Sequence, residues 1–148
     1  MALQDRLGPE IKAAMLAKDA DRLSTLRLLK SAVTYTQIER KTENLSDAEF
    51  VAVVQKEVKK RRDSIEQFEK GGRLELAAKE KKEIVVLETF LPKPLSPEEL
   101  EQLIKATIQE LGAVSKKEMG PVIKAVQAKA AGRADGKTIS GVVGKLLA

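Results

Sequence analysis

The chain has 148 residues, 43% of them hydrophobic and only 3% aromatic, with no cysteine and no histidine. That composition excludes a disulfide framework, a Cys/His zinc site, a haem held by His or Cys, and any Ser–His or Cys–His nucleophile couple. The net charge of +5 is confined to one end: the residues after Gly112 hold seven Lys/Arg against two acids, and the rest of the chain holds 20 of each.

Helical spacing runs through the whole sequence. Leu3, Leu7, Ile11 and Ala14 recur every three or four residues, and Asp19 or Asp21 can cap the segment that follows. That second segment, about 22–41, lines one face with Leu23, Leu26, Leu29 and Val33. Leu28 and Ile38 lie off that face, so the spacing predicts a central helix contacted from more than one side. Ser46 and Glu49 have the spacing of a capping box, in which each side chain accepts the other residue's backbone N–H. The helix they open carries Phe50, Val54, Val58, Ile65 and Phe68 on a narrow stripe and stops at Gly71-Gly72. A fourth helix follows over 73–91.

Pro92 and Pro94 break the pattern and divide the chain into an N-terminal helical domain, 1–93, and a C-terminal three-helix domain, 94–148. Ser96, Pro97 and Glu99 form a strong helix start, and Gly112 suits the end of that helix. Ser115 and Glu118 have the spacing of a further capping box, although Gly120-Pro121 predicts a kink or a late start. Asp135 can cap a last helix with Ile139, Val142, Val143, Leu146 and Leu147. The expected fold is all-α, a four-helix module followed by a three-helix module.

Two charged clusters stand out. Arg61 falls on the apolar stripe of the third helix, where a guanidinium must be paired. Glu57, one turn back, and Glu88 on the fourth helix are its candidate partners, and an interhelical structural ion pair is the expected role. The second cluster is the basic tail: Lys116, Lys117, Lys124, Lys129, Arg133 and Lys137. These residues suit phosphate contacts, and a solvated lysine face is the alternative. Without aromatic residues to stack on bases, recognition would be through the shape and backbone of a folded RNA.

The run from Gly132 to Thr138 superficially resembles a P-loop. It has one residue too few between its glycines and follows a helix rather than a strand. It reads instead as a structural turn of Gly132, Asp135 and Gly136, with Arg133 and Lys137 able to meet a phosphate at the next helix start. No pair of carboxylates stands out as an acid/base couple, so no catalytic residue, metal or cofactor is expected. No apolar run approaches the roughly 20 residues of a membrane helix. The opening MALQDRLGPE lacks the charged and apolar regions of a signal peptide, so a cytoplasmic location is expected and no membrane partner.

Four stretches together carry a family resemblance: EVKKRRDSIEQFEKGGR at 57–73, LETFLPKPLSPEEL at 87–100, GAVSKKEMGPVIKAV at 112–126 and GRADGK at 132–137. In this order and spacing they resemble the GatB/YqeY family, and the whole chain is similar to a stand-alone YqeY-type protein. The resemblance implies an all-helical, two-module fold. It also implies a C-terminal module like the tail of the B subunit of the glutamine-dependent aspartyl/glutamyl-tRNA amidotransferase, a tail that helps hold tRNA. The positions matching that tail are Lys116, Lys117, Gly120, Lys124, Gly132, Arg133, Asp135, Gly136 and Lys137. The implied activity is amidotransferase-like, carbon–nitrogen ligation with glutamine as the amide donor. Glutamine hydrolysis and ATP-dependent activation need other modules, so the expected role is that of a tRNA-binding accessory with no catalytic site. The competing expectation is a helical protein-interaction module, or a homodimer, that docks through the N-terminal helices and has no RNA role.

Overall fold

The computed structural model describes residues 2–147, and every regular element among them is a helix. A 3-10 turn at Leu3–Arg6 leads into α1 (Leu7–Leu16), followed by α2 (Ala20–Arg40), α3 (Asp47–Lys70), α4 (Leu74–Glu88), α5 (Pro97–Leu111), a second 3-10 turn at Lys116–Glu118, α6 (Met119–Ala130) and α7 (Gly136–Leu146). The chain is all-α. It divides into two compact units, the first ending at Leu91 and the second beginning at Pro92.

In the first unit, α1 to α4 enclose a core of Leu7, Leu26, Leu29, Val33, Phe50, Val54, Val58, Leu87 and Phe90. Phe50 and Phe90 meet edge to face at 6.0 Å, and the Arg6 guanidinium lies 5.0 Å over the Phe90 ring. The helix starts follow from their caps. The Asp19 carboxylate accepts the Arg22 amide, and Ser46 and Glu49 complete the reciprocal capping box, 3.0 and 3.2 Å. As its spacing predicts, α2 is contacted from more than one side, by α1, α3 and α4. Its core face buries Leu26, Leu29 and Val33, but Leu28, Tyr35 and Ile38 stay exposed within this unit.

Arg61 is buried on the apolar stripe of α3, as its spacing requires. Glu57 is one of its partners: its carboxylate lies 3.6 Å away and its backbone carbonyl accepts a hydrogen bond at 3.1 Å. Across the helix pair the partners are Glu83, at 2.9 Å, and Glu80, at 4.0 Å, rather than Glu88. The hairpin register explains the correction. Arg61 lies ten residues before Gly71 and Glu83 lies eleven after Gly72, so an antiparallel pair turning at Gly71-Gly72 brings those two levels together. Burial and the adjacent Glu83 charge and hydrogen bond hold the Glu80 carboxyl above the usual carboxylate range, against the pull of Arg61.

The second unit packs α5, α6 and α7 around Leu100, Ile104, Val122, Val126, Ile139 and Val143. Ser96 and Glu99 form the expected capping box, with Pro97 in the first turn. Gly112 takes the left-handed conformation after α5, φ +66°. The box expected at Ser115 and Glu118 does not form. Ser115 makes no side-chain cap, and the Glu118 carboxylate instead accepts the Val114 amide at 3.1 Å. A 3-10 turn takes up residues 116–118, and α6 starts late, at Met119. Pro121 then sits in the first turn, where its missing N–H costs no intrahelical bond.

Candidate nucleic-acid interface

The basic residues of the second unit occupy two different environments. Lys129, on α6, and Arg133, in the turn that follows it, both meet carboxylates of α5. The Lys129 ammonium donates to the Glu110 carboxylate and, at 3.4 Å, to the Thr107 hydroxyl. Arg133 donates from Nε to the Lys93 carbonyl at 2.8 Å, and its Nη2 lies 3.8 Å from Glu99. Its own carbonyl accepts the Leu95 amide at 2.8 Å. Arg133 thus clamps the α6–α7 turn to the segment that leads into α5. These side chains and Leu95, Gln102 and Leu103 border an open cleft of about 410 Å3.

The turn is built as its residue types dictate. Ala131 and Gly132 both adopt left-handed backbone, φ +47° and +87°, and the Arg133 amide donates to the Ala130 carbonyl at 2.9 Å. Asp135 then opens α7 by accepting the Thr138 amide at 2.7 Å. Gly136 lies against α6: a Cβ there would stand 3.0 Å from the Gln127 side-chain nitrogen.

Lys116, Lys117, Lys124 and Lys137 are exposed and form no ion pair among the described residues. The helices bring some of them together. Gly136 faces Gln127, and Gly144 faces Met119, so α6 and α7 run antiparallel with Lys124 and Lys137 on the same outer side of the pair. Gly120 and Gly141, on this outer surface, have nothing within 4 Å of where a Cβ would stand. The surface is therefore low between its lysines. Lys116, Lys117, Lys124 and Lys137 lack the carboxylates that neutralise Lys129 and Arg133.

The sequence grouped six cations, and the structure sorts them by neighbour. The missing information was the two carboxylates on α5, Glu110 beside Lys129 and Glu99 beside Arg133. Ser96-Pro97-Glu98-Glu99 announces a cap, but not that the outer oxygen of Glu99 faces Arg133. The Glu99 carboxyl is held below the usual range, first by the Ser96 backbone amide, then by the Ser96 hydroxyl, with Arg133 and Lys93 adding to the effect. Among the described residues no group of three His, Cys, Asp or Glu could hold a metal ion, and no helix is long and apolar enough to cross a membrane.

A family profile described as "Yqey-like protein" matches residues 4–147. Fungal proteins are similar over much of the chain. "Altered inheritance of mitochondria protein 41, mitochondrial" of Kluyveromyces lactis is 34% identical over 138 residues, covering 91% of this chain and 70% of the relative. The protein of that name in Vanderwaltozyma polyspora is 30% identical over 107 residues, 71% of this chain, which spans only 58% of the relative's length. "Uncharacterized protein C22F3.15" of Schizosaccharomyces pombe is 35% identical over 94 residues, 64% of this chain and 76% of the relative.

Proposed function

The chain belongs to the YqeY-like family, and from that premise we propose that it binds tRNA through the basic face of its second unit, as an accessory to amidotransferase-like carbon–nitrogen ligation and without a catalytic site of its own. The observation that carries this reading is the segregation of charge. The whole net charge lies beyond Gly112, and Lys116, Lys117, Lys124 and Lys137 have no carboxylate partner among the described residues. Phosphate binding replaces small cations condensed on the RNA, so affinity would fall linearly with salt on logarithmic axes. The shape of the face suits backbone contact, because Gly120 and Gly141 leave room for a phosphate ridge between the lysines. Lys129 and Arg133 enter more weakly, since each would exchange an existing partner for phosphate.

The mitochondrial names of the fungal relatives fit a role in a compartment with its own tRNA pool. For this chain we propose the cytoplasm, where the same chemistry is served. The test is tRNA binding by the full chain across a salt series. The expected slope corresponds to about three to five released counterions. Replacing Lys117, Lys124 and Lys137 together by Glu should weaken binding about tenfold or more and flatten the salt dependence. Unchanged affinity in that variant, with helicity intact, removes the reading.

A further inference from the structure

The cleft beside α5 holds two opposite charges that the chain leaves partly unused. Arg133 commits only its Nε, to the Lys93 carbonyl at 2.8 Å. That bond fixes the guanidinium, and among the described residues neither Nη nitrogen has a hydrogen-bond acceptor. A guanidinium carries its N–H donors in a planar fork that matches the two oxygens of a carboxylate. Glu99 is divided in the same way. Its Oε1 accepts the Ser96 amide at 3.2 Å. Its Oε2 lies 3.8 Å from Arg133 Nη2, too far for a hydrogen bond. The Glu99 carboxyl is held below its usual range, so it stays ionised at neutral pH.

Both residues border the cleft of about 410 Å3, together with Leu95, Leu103 and Ala130. That volume lies in the range of small-ligand sites, and the three aliphatic side chains supply the apolar wall such sites have. Lys129 also borders the cleft, but its ammonium is taken up by Glu110 and the Thr107 hydroxyl. The charges on offer are therefore one cation and one anion, side by side. A simple carboxylate or phosphate on the Arg133 fork would bring a second negative charge beside Glu99, which is unfavourable. An ammonium alone would meet Arg133 in the same way. A ligand with both charges on one carbon, set antiparallel to the Arg133–Glu99 pair, is attracted at both ends.

We propose that this cleft binds a free α-amino acid with an aliphatic side chain. The carboxylate takes the Nη fork of Arg133, the ammonium donates to Glu99 Oε2, and the side chain covers Leu95, Leu103 and Ala130. The Arg133 and Glu99 side chains are 40% and 56% exposed, and ion pairs open to water contribute little. Binding is therefore weak, with a Kd of about millimolar. The inference does not rest on the RNA reading, whose Lys116, Lys117, Lys124 and Lys137 do not border the cleft.

Titration of the isotope-labelled full chain with leucine into the millimolar range, followed through its amide NMR signals, tests the proposal. Saturable shifts are expected, confined to the amides around residues 95, 99–103 and 129–133. Isocaproate lacks the ammonium, isoamylamine lacks the carboxylate, and aminocaproate holds its two charges far apart. Each should bind about tenfold more weakly than leucine, or worse. Glu99→Gln keeps the helix start, because Gln serves at that position of a capping box. The variant should bind leucine about tenfold or more weakly and isocaproate more tightly than wild type, since the repelling charge is gone. The absence of saturable shifts overturns the proposal. So does isocaproate or aminocaproate binding as tightly as leucine, which would make the cleft a plain anion site, or a Glu99→Gln variant with unchanged leucine affinity.

Discussion

Arg61 shows how one buried cation ties two helices together and what its loss would expose. Its side chain is 10% exposed, against 13%, 23% and 15% for Glu57, Glu80 and Glu83. Removing it takes away the guanidinium between Glu80 and Glu83 and leaves Glu57 with only the exposed Lys60, 3.5 Å away. Arg61→Ala is therefore expected to destabilise the first unit by about 3–5 kcal/mol, toward the lower end because water still reaches the carboxylates. A urea melt followed by circular dichroism measures this. Glu80→Gln acts in the opposite direction. The Glu80 carboxyl is held above its usual range in the folded chain, so the folded state binds its proton more tightly than the unfolded state does. Its ionisation removes stability as pH rises through that raised value. Glu80→Gln keeps a hydrogen-bond donor toward Glu83 without the charge. It should raise the melting temperature at neutral pH, and the gain should vanish in acid, where wild-type Glu80 is protonated.

At the scale of single helices, the caps and the exposed glycines set the balance. Ser46 accepts the Glu49 amide, and Glu49 accepts the Ser46 amide. Ser46→Ala should cost about 1 kcal/mol, read as a lower urea midpoint. The carboxyls of Glu49 and Glu99 are both lowered, chiefly by the backbone amides of Ser46 and Ser96. The stability from these bonds is complete above the ordinary carboxylate value, about 4.3. It is lost as pH falls through the lowered values of the folded chain. Acid titration of helicity should therefore show wild type and Glu49→Gln converging at low pH, whereas Ser46→Ala, which keeps the backbone amide and loses only the hydroxyl, stays less stable throughout. Gly141 lies inside α7 with open space where its Cβ would stand. Gly141→Ala should stabilise the second unit by about 0.5–1 kcal/mol, through helix propensity alone. A gain in melting temperature accompanied by weaker tRNA binding would mean that this glycine serves the RNA surface.

Over the whole molecule, the two cores share no residue: one is built from 7–90 and the other from 100–147. Ile104 is fully buried in the second. Ile104→Ala should cost about 2–5 kcal/mol, with amide-exchange protection falling across 92–147 while the amides of α3 remain protected. Charge follows the same division. The second unit carries the excess of cations, and the first carries the exposed Leu28, Tyr35 and Ile38 of α2.

The sequence by itself determined the helices, most of their caps, the break at Pro92–Pro94 and the placement of net charge. Those features rest on local rules: the period of apolar residues, side chains that reach backbone amides within three residues, and proline's missing N–H. The structure corrected the reading where a neighbour distant in sequence decides. The partners of Arg61 depend on the register of the α3–α4 hairpin, which places Glu83 and Glu80 beside it and not Glu88. The separation of Lys129 and Arg133 from the other lysines depends on the packing of α5 beside α6. The exposure of Leu28 and Ile38 depends on how many helices the first unit has to lay against α2. Spacing along a helix says which residues share a face. Only tertiary packing decides which faces are covered and which charges are already matched.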